Sequence, residues 1–300
     1  MILLTGATGL VGSALLRRLT ARDEPVRCLV RDPRRLGDQR VRVQIALGDL
    51  SDAHSFRHAM RGVETVIHLA ASIRDQPAPP AGAARSIEEL NGVATWRMVQ
   101  AAERAGVERF VFFSALEASR WSPARFFRAK ALAEEAVRAS TVPHTIFAPS
   151  IVYSPGDTFL TLLDRLSRLL PVMPVSGSGR ALYQPIWADD VADCVVAALD
   201  GGGDARERYE LAGPETLSFE AVVRLALRSF GRRRVVLPVP LPLVRRFLWA
   251  ARLLAGSAVF ATWDEVELME VPMTSRSGTA DAERLGVRPQ SMRAVLGVGG

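Results

Sequence analysis

The sequence predicts an α/β protein, a doubly wound parallel sheet followed by a smaller, mostly helical carboxy-terminal lobe. Three observations carry the prediction. Short apolar runs alternate with longer helical patterns through the first half of the 300 residues, as strand–helix–strand units do. The first run leads directly into three closely spaced glycines and then an amphipathic stretch. Beyond Pro149 strand-like runs become sparse and helical spacing dominates.

Taken in order, strands are expected at Met1–Thr5, Val26–Val30, Val41–Leu47, Thr65–Leu69, Arg109–Ser114 and His144–Phe147. Each is an apolar run of strand length bounded by turn residues. Helices are expected between them at Leu10–Arg22, Ser51–Met60, Ala84–Ala105 and Ala124–Ser140. The Pro- and Ala-rich segment Asp75–Gly82 reads as an exposed loop. The second lobe is expected to hold helices at Thr158–Leu170, Asp190–Leu199, Phe219–Phe230, Leu243–Leu254 and Trp263–Met269, with one strand near Tyr209–Ala212. This divides the chain into residues 1–150 and 151–300. The second part is expected to lie over the carboxyl ends of the strands, where open α/β sheets bind ligands.

The run Met1-Ile2-Leu3-Leu4-Thr5 passes into Gly6, Gly9 and Gly12 and then into Ala14-Leu15-Leu16-Arg17-Arg18-Leu19. In that context each glycine has a mechanical task. One permits the tight strand-to-helix turn, one admits backbone close to a pyrophosphate, and one lets helix pack on strand. The amino terminus of the helix then offers free N–H groups and a partial positive charge to phosphate. The loop residues Gly6, Thr8, Gly9, Leu10, Val11 and Gly12 are therefore expected to contact a nicotinamide dinucleotide in a Rossmann-type domain. The second strand ends in Arg31-Asp32-Pro33-Arg34-Arg35. Arg31 and Arg35 suit the 2′-phosphate of NADP(H), so NADP(H) is favoured over NAD(H).

These residues resemble the short-chain dehydrogenase/reductase superfamily, in its extended and atypical, NAD-dependent epimerase/dehydratase-like members. The resemblance is to the branch holding the nucleotide-binding accessory subunit of respiratory complex I, with NmrA-like sensors as neighbours. It rests on Thr5 to Gly12, Gly48-Asp49-Leu50, His68-Leu69-Ala70-Ala71, Asn91, Phe112-Phe113-Ser114, Pro149-Ser150-Ile151-Val152-Tyr153, Gln184 to Ala192 and Leu285 to Pro289. It implies that Asp49 and Leu50 meet the adenine and that Leu69, Ala70 and Ala71 flank the riboses. It further implies that Pro149 and Ile151 meet the nicotinamide, and that Ser114 and Lys130 serve both cofactor and catalysis.

One departure from the family pattern bears on chemistry. The superfamily's acid/base is a Tyr four residues before the Lys, its phenol pulled down by the ammonium. Here Lys130 follows Ser114 by sixteen residues, but the Tyr position holds Phe126. Tyr153, Tyr183 and Tyr209 are followed four residues on by Asp157, Trp187 and Gly213, so none restores the motif. Lys130 is nevertheless the chain's one lysine; every other member of the 38 Lys and Arg residues is Arg. Arg does not replace Lys where a compact ammonium must reach ribose hydroxyls.

The remaining features exclude more than they assign. A net charge of +6 would suit nucleic acid, but the arginines are dispersed and no nucleic-acid-binding motif is present. Cys28 and Cys194 form no CxxC pair and read as reduced, buried thiols. His54 and His58 share a predicted helix with no third ligand nearby, which is more often a solvated face than a metal site. Asp190 is expected to cap its helix, and His68 to pack in the core. The apolar stretch Val235 to Phe260 is broken by three prolines and three arginines, too interrupted for a membrane span of about 20 residues. With the first strand starting at Met1, a cytoplasmic protein is expected. The helix Leu243–Leu254 is suited to covering an apolar substrate pocket, docking a protein partner or touching a membrane surface. Two functions remain open: an NADPH-dependent oxidoreductase acting on a small apolar carbonyl or enone, and a non-catalytic NADP(H)-binding sensor or assembly protein.

Overall fold

A computed structural model describes residues 1–77, 85–202, 204–205, 207–255 and 262–298. The first half runs β1 (Ile2–Thr5), α1 (Leu10–Ala21), β2 (Val26–Val30), β3 (Gln44–Leu47), α2 (Ala53–Phe56), β4 (Thr65–His68), α3 (Ala94–Ala105), β5 (Arg109–Phe113), α4 (Arg125–Arg138) and β6 (His144–Pro149). The chain continues through β7 (Val152–Tyr153), α5 (Thr158–Leu169), β8 (Val172–Ser176), β9 (Leu182–Tyr183), β10 (Ile186–Trp187), α6 (Ala188–Ala197) and β11 (Arg208–Leu211). It ends with β12 (Leu217–Ser218), α7 (Phe219–Ser229), β13 (Val235–Val239), α8 (Leu241–Ala255), α9 (Trp263–Leu268), α10 (Ala280–Arg284) and α11 (Met292–Val295).

Seven of these strands form one parallel sheet in the order β11-β6-β5-β4-β1-β2-β3. Its central strands β1, β5 and β6 are buried but for the half-buried first residue of β5, Arg109, because helices cover both faces, which is why they read as continuous apolar runs. The strand order reverses between β1 and β4, so a crevice opens beyond their carboxyl ends. The sheet does not end with β6. Strand β11 pairs with β6, Arg208 opposite Ile146 and Leu211 opposite Pro149. Helix α6 packs on α1, and Val191 and Val195 share a core with Leu15, Leu16 and Leu19. Ion pairs of Arg17 with Asp189, Arg18 with Asp193 and Arg22 with Asp200 line the same contact. Of the elements expected in the second lobe, the strand near Tyr209–Ala212 thus extends the sheet and the helix expected at Asp190–Leu199 packs on α1 at its face.

Several elements differ from the sequence expectation for local reasons. Asp32 accepts from the Arg34 amide at 3.0 Å and starts a run of 3₁₀ turns, Pro33–Arg42, so β3 begins at Gln44 and Val41 is left exposed. Asp52 caps the His54 amide, but the following helix stops at Phe56 and resumes as a 3₁₀ turn at His58–Met60. His54 and His58 therefore stand on separate short turns. The expected helix Ala84–Ala105 opens as a wide π-turn at Glu89–Val93, where the Asn91 amide donates to the Ile87 and Ser72 carbonyls. Ala84, residues 78–82 of the expected loop and residues 256–260 of the apolar stretch lie outside the described residues. Helix α6 begins at Ala188, so Asp190 is no cap; it accepts from the Gln290 amide at 2.8 Å and holds the carboxy-terminal segment. Among the described residues no helix is long and apolar enough to cross a membrane.

Candidate cofactor-binding site

At the switch point lies a cleft of about 580 Å³. The glycine loop forms one wall. Gly6 adopts φ +74°, and a Cβ there would sit 2.7 Å from the Ala70 amide nitrogen. At Gly12 a Cβ would fall 2.1 Å from the Gly6 carbonyl oxygen, so only glycine lets α1 seat against the loop. The Gly9 amide donates to that same carbonyl at 2.9 Å. Helix α1 then starts with no side-chain cap and no acid in its first turn. Its first N–H groups and positive dipole end are left for an anion. Gly6, Thr8 and Gly9 line the cleft, while Leu10, Val11 and Gly12 build the first turn of α1 beside it.

The opposite wall is the end of β4, with Leu69, Ala70, Ala71 and Ser72. A hydrogen-bond chain fixes it to β1 and to the π-turn. The Ala70 amide donates to Thr5 Oγ1 at 3.3 Å, and Thr5 Oγ1 lies 2.8 Å from His68 Nδ1. On the other side His68 Nε2 is 3.1 Å from Thr95 Oγ1, whose proton goes to the Asn91 carbonyl at 2.6 Å. Since Thr95 has spent its proton, His68 must donate from Nε2 and accept at Nδ1. Burial, reinforced by the Lys130 charge, pulls His68 down to about 3, so it stays neutral. It is a buried strut stacked on Phe112 at 6.0 Å, not a base.

The adenosine end of the cleft is lined by Arg31, Asp32 and Arg35 from the tip of β2, and by Gly48, Asp49 and Leu50 after β3. Arg31 donates to Gln76 Oε1 at 2.6 Å. The Asp49 carboxylate accepts from the Ser51 amide and hydroxyl, at 3.0 and 2.8 Å, and pairs with Arg85. Burial works against its ionisation, but those donors with Arg85 and Arg31 hold the carboxyl below its ordinary value. Gln76 and Arg85 face each other in a short antiparallel bridge. The sequence reading missed both because Gln76 lies inside the segment read as an exposed loop, Asp75–Gly82, and Arg85 in the helix expected at Ala84–Ala105. Ser72 and Leu90 on the lining were missed too, since only the fold brings them beside the loop.

Ser114, Lys130, Pro149 and Ile151 lie apart from this lining, around the ends of β5 and β6. The Ser114 amide donates to the Phe147 carbonyl at 2.7 Å. Its buried Oγ finds no hydrogen-bond partner among the described residues. Lys130, only 2% exposed, donates from Nζ to the Phe113 carbonyl at 2.6 Å. Its ammonium lies 4.9 Å from the Phe112 ring centre and 5.7 Å from that of Phe126, a cation–π contact on each. Burial pulls it down to about 7. Phe126 thus occupies the Tyr position as a packing ring against the ammonium. The Pro149 carbonyl accepts from the Leu116 amide, and the Ile151 carbonyl from that of Ile186. The Tyr153 hydroxyl is also buried and unpartnered among the described residues, and burial pushes its phenol up.

The glycine cradle, the uncapped helix start and the arginines at the β2 tip fit a dinucleotide phosphate, and similarity to known proteins agrees. A family model described as NAD(P)H-binding matches residues 6–202. The chain is 30% identical over 247 residues to the mitochondrial NADH dehydrogenase [ubiquinone] 1 alpha subcomplex subunit 9 of Arabidopsis thaliana, covering 79% of this chain and 60% of that protein. It is 34% identical over 200 residues to the ceramide reductase of Caulobacter vibrioides, covering 66% of this chain and 60% of that one. The chain therefore spans about 60% of the length of either relative. Among solved structures, the triphenylmethane reductase of Citrobacter sp., complexed with NADP(H), superposes with a TM-score of 0.73 at 19% identity, over 99% of this chain and 98% of that one. The chain belongs to the NAD(P)H-binding family, and its fold is also that of a nucleoside-diphosphate-sugar epimerase from Staphylococcus aureus, with a TM-score of 0.73 at 19% identity over 98% of this chain and 99% of that one.

Proposed function

We propose that this protein is an NADPH-dependent oxidoreductase that reduces a small apolar carbonyl or enone. The observation that carries the reading is the Ser114 hydroxyl, buried just past the end of β5 with no hydrogen-bond partner among the described residues. Buried donors are almost always paired, and one left over at a site is a candidate ligand group. When bound, the nicotinamide supplies the hydride. The chain's own part is to hold the substrate oxygen with Ser114 Oγ and fix the reacting centre, the source of most of the rate in such a site. Lys130 acts one step back, holding the Phe113 carbonyl and hence the strand end that carries Ser114. The proton then comes from water. The apolar preference is supported by Ala115, next along the chain, which clusters with Phe127, Tyr153 and Tyr183. NADP(H) over NAD(H) is supported by Arg31 and Arg35 on the cleft, and by Asp32 being engaged in its own turn.

The test supplies NADPH with enones, aldehydes and quinones and follows reduced-nicotinamide absorbance. Ser114→Ala is expected to lower turnover by about 10²–10³-fold, the usual cost of losing an oxyanion donor, with NADPH affinity unchanged. A turnover that Ser114→Ala leaves intact would refute the role. The second reading, a protein that binds NADP(H) and presents its second lobe to a protein partner, is favoured by Phe126 in place of the acid. Tight cofactor binding without consumption of any candidate would select it.

A further inference from the structure

Helix α8 is apolar on both faces. It turns Leu248 inward, with the half-buried Leu241 and Val244 on the same side. Its broad outer face carries Leu243, 56% exposed, with Phe247, 59%, on one flank, Trp249, 66%, on the other, and exposed Arg246 and Ala250 between the flanks. A helix on a protein–water boundary normally puts charge there instead. The preceding strand, β13, adds exposed Val235 and Leu237. Charge is equally uneven. Between Glu220 and Asp264 the chain has eight arginines and no acidic residue. Those eight exceed the net charge of the whole molecule, +6, leaving the rest slightly acidic. Arg224 pairs with Glu220 and Arg232 with Asp164. Arg233, Arg234, Arg245 and Arg246 meet no acid among the described residues, and Arg245 stacks 5.3 Å from the Trp263 ring centre.

We infer that the β13–α8 face docks on an anionic membrane surface, with α8 lying in the plane of the headgroups. Leu243, Phe247 and Trp249 enter the headgroup–acyl boundary while the arginines meet lipid phosphates, the recognised chemistry of an in-plane helix. The flexible arginine stems let the guanidinium groups, Arg246 in the middle of the face included, reach the phosphates as the apolar side chains on either side of it sink. A second copy of the chain does not suit the face, because it would set one arginine cluster against another. Nothing in the docking depends on the cofactor chemistry proposed above.

The test uses the full chain and vesicles of phosphatidylcholine with and without phosphatidylglycerol, read by flotation. Binding is expected to be at least about tenfold stronger to the anionic vesicles and to weaken with salt. Arg245→Gln with Arg246→Gln, and separately Phe247→Ser with Trp249→Ser, should each lower it by about tenfold or more. Both pairs are exposed, and retained NADPH affinity with an unchanged melting temperature checks that they fold. Absence of binding to anionic vesicles would overturn the inference, even if an acidic protein were captured on this face. So would equal binding to neutral vesicles, or folded variants that float like the parent.

Discussion

Lys130 makes a prediction that can be worked through to a number. The perturbation is Lys130→Met, which keeps the stem and removes the ammonium. In the fold this group is sealed between Phe112 and Phe126 with one carbonyl acceptor, and burial pulls it from 10.5 to about 7. Between those values the unfolded chain binds a proton that the folded chain does not, so stability must rise with pH across that window. Below about 7 both states carry the charge and the full burial cost stays in place. From pH 6 to 8.5 the folded protein therefore gains about 2 kcal/mol from this one residue, at about 1.4 kcal/mol per pH unit once above 7. Cys28 and Cys194, both pushed up to about 12 by burial, act oppositely near and above their ordinary value of 9.0. They are present in parent and variant alike and cancel in the comparison. Urea denaturation followed by circular dichroism, at several pH values, measures the difference. If the two proteins' stabilities run parallel from pH 6 to 8.5, the buried-ammonium reasoning is wrong.

Three further outcomes follow from the same geometry. Gly12→Ala places a Cβ 2.1 Å from the Gly6 carbonyl oxygen and should abolish measurable NADP(H) affinity in calorimetry, because backbone cannot yield as a flexible side chain can. Arg31→Ala with Arg35→Ala should weaken NADPH binding by about 10–100-fold through loss of charge-assisted bonds to the 2′-phosphate, with NADH affinity changed far less. Amine-directed acylation followed by peptide mass spectrometry should leave Lys130 unmodified in the folded protein and modify it after denaturation, since it is 2% exposed.

The legible parts of the fold were those set by short-range physics. Gly6, Gly9 and Gly12 sit where a strand must turn into a helix, and the close approach of a Cβ at Gly9 or Gly12 to the Gly6 carbonyl is local enough to be read from spacing, whereas the one at Gly6 is with the distant Ala70. The apolar strands β1, β4 and β5 needed only composition, because burial on both faces removes alternation. What escaped depended on distant partners. Asp190 looked like a cap because it heads an apolar helix, but the Gln290 amide claims it from a hundred residues away. The stretch Ser51–Met60 has helical spacing, yet it is split between two short turns while Phe56, Ala59 and Met60 still reach the core. Arg85 carries no motif; only the bridge to Gln76 brings it to Asp49. Lys130 could be singled out as the one lysine, but its enclosure by Phe112 and Phe126 could not, since those rings come from different elements.

The return of the chain to the sheet through α6 and β11 governs how the molecule can be taken apart. A fragment ending at residue 150 would keep every glycine of the loop yet strip the cover from Leu15, Leu16 and Leu19. It would also leave the far edge of β6 with open peptide groups, a template for unwanted pairing. The helix that receives the phosphates would then be the one with its back exposed. Anyone wanting the nucleotide-binding half alone must carry residues 188–211 along, by rejoining them to the first half rather than by cutting.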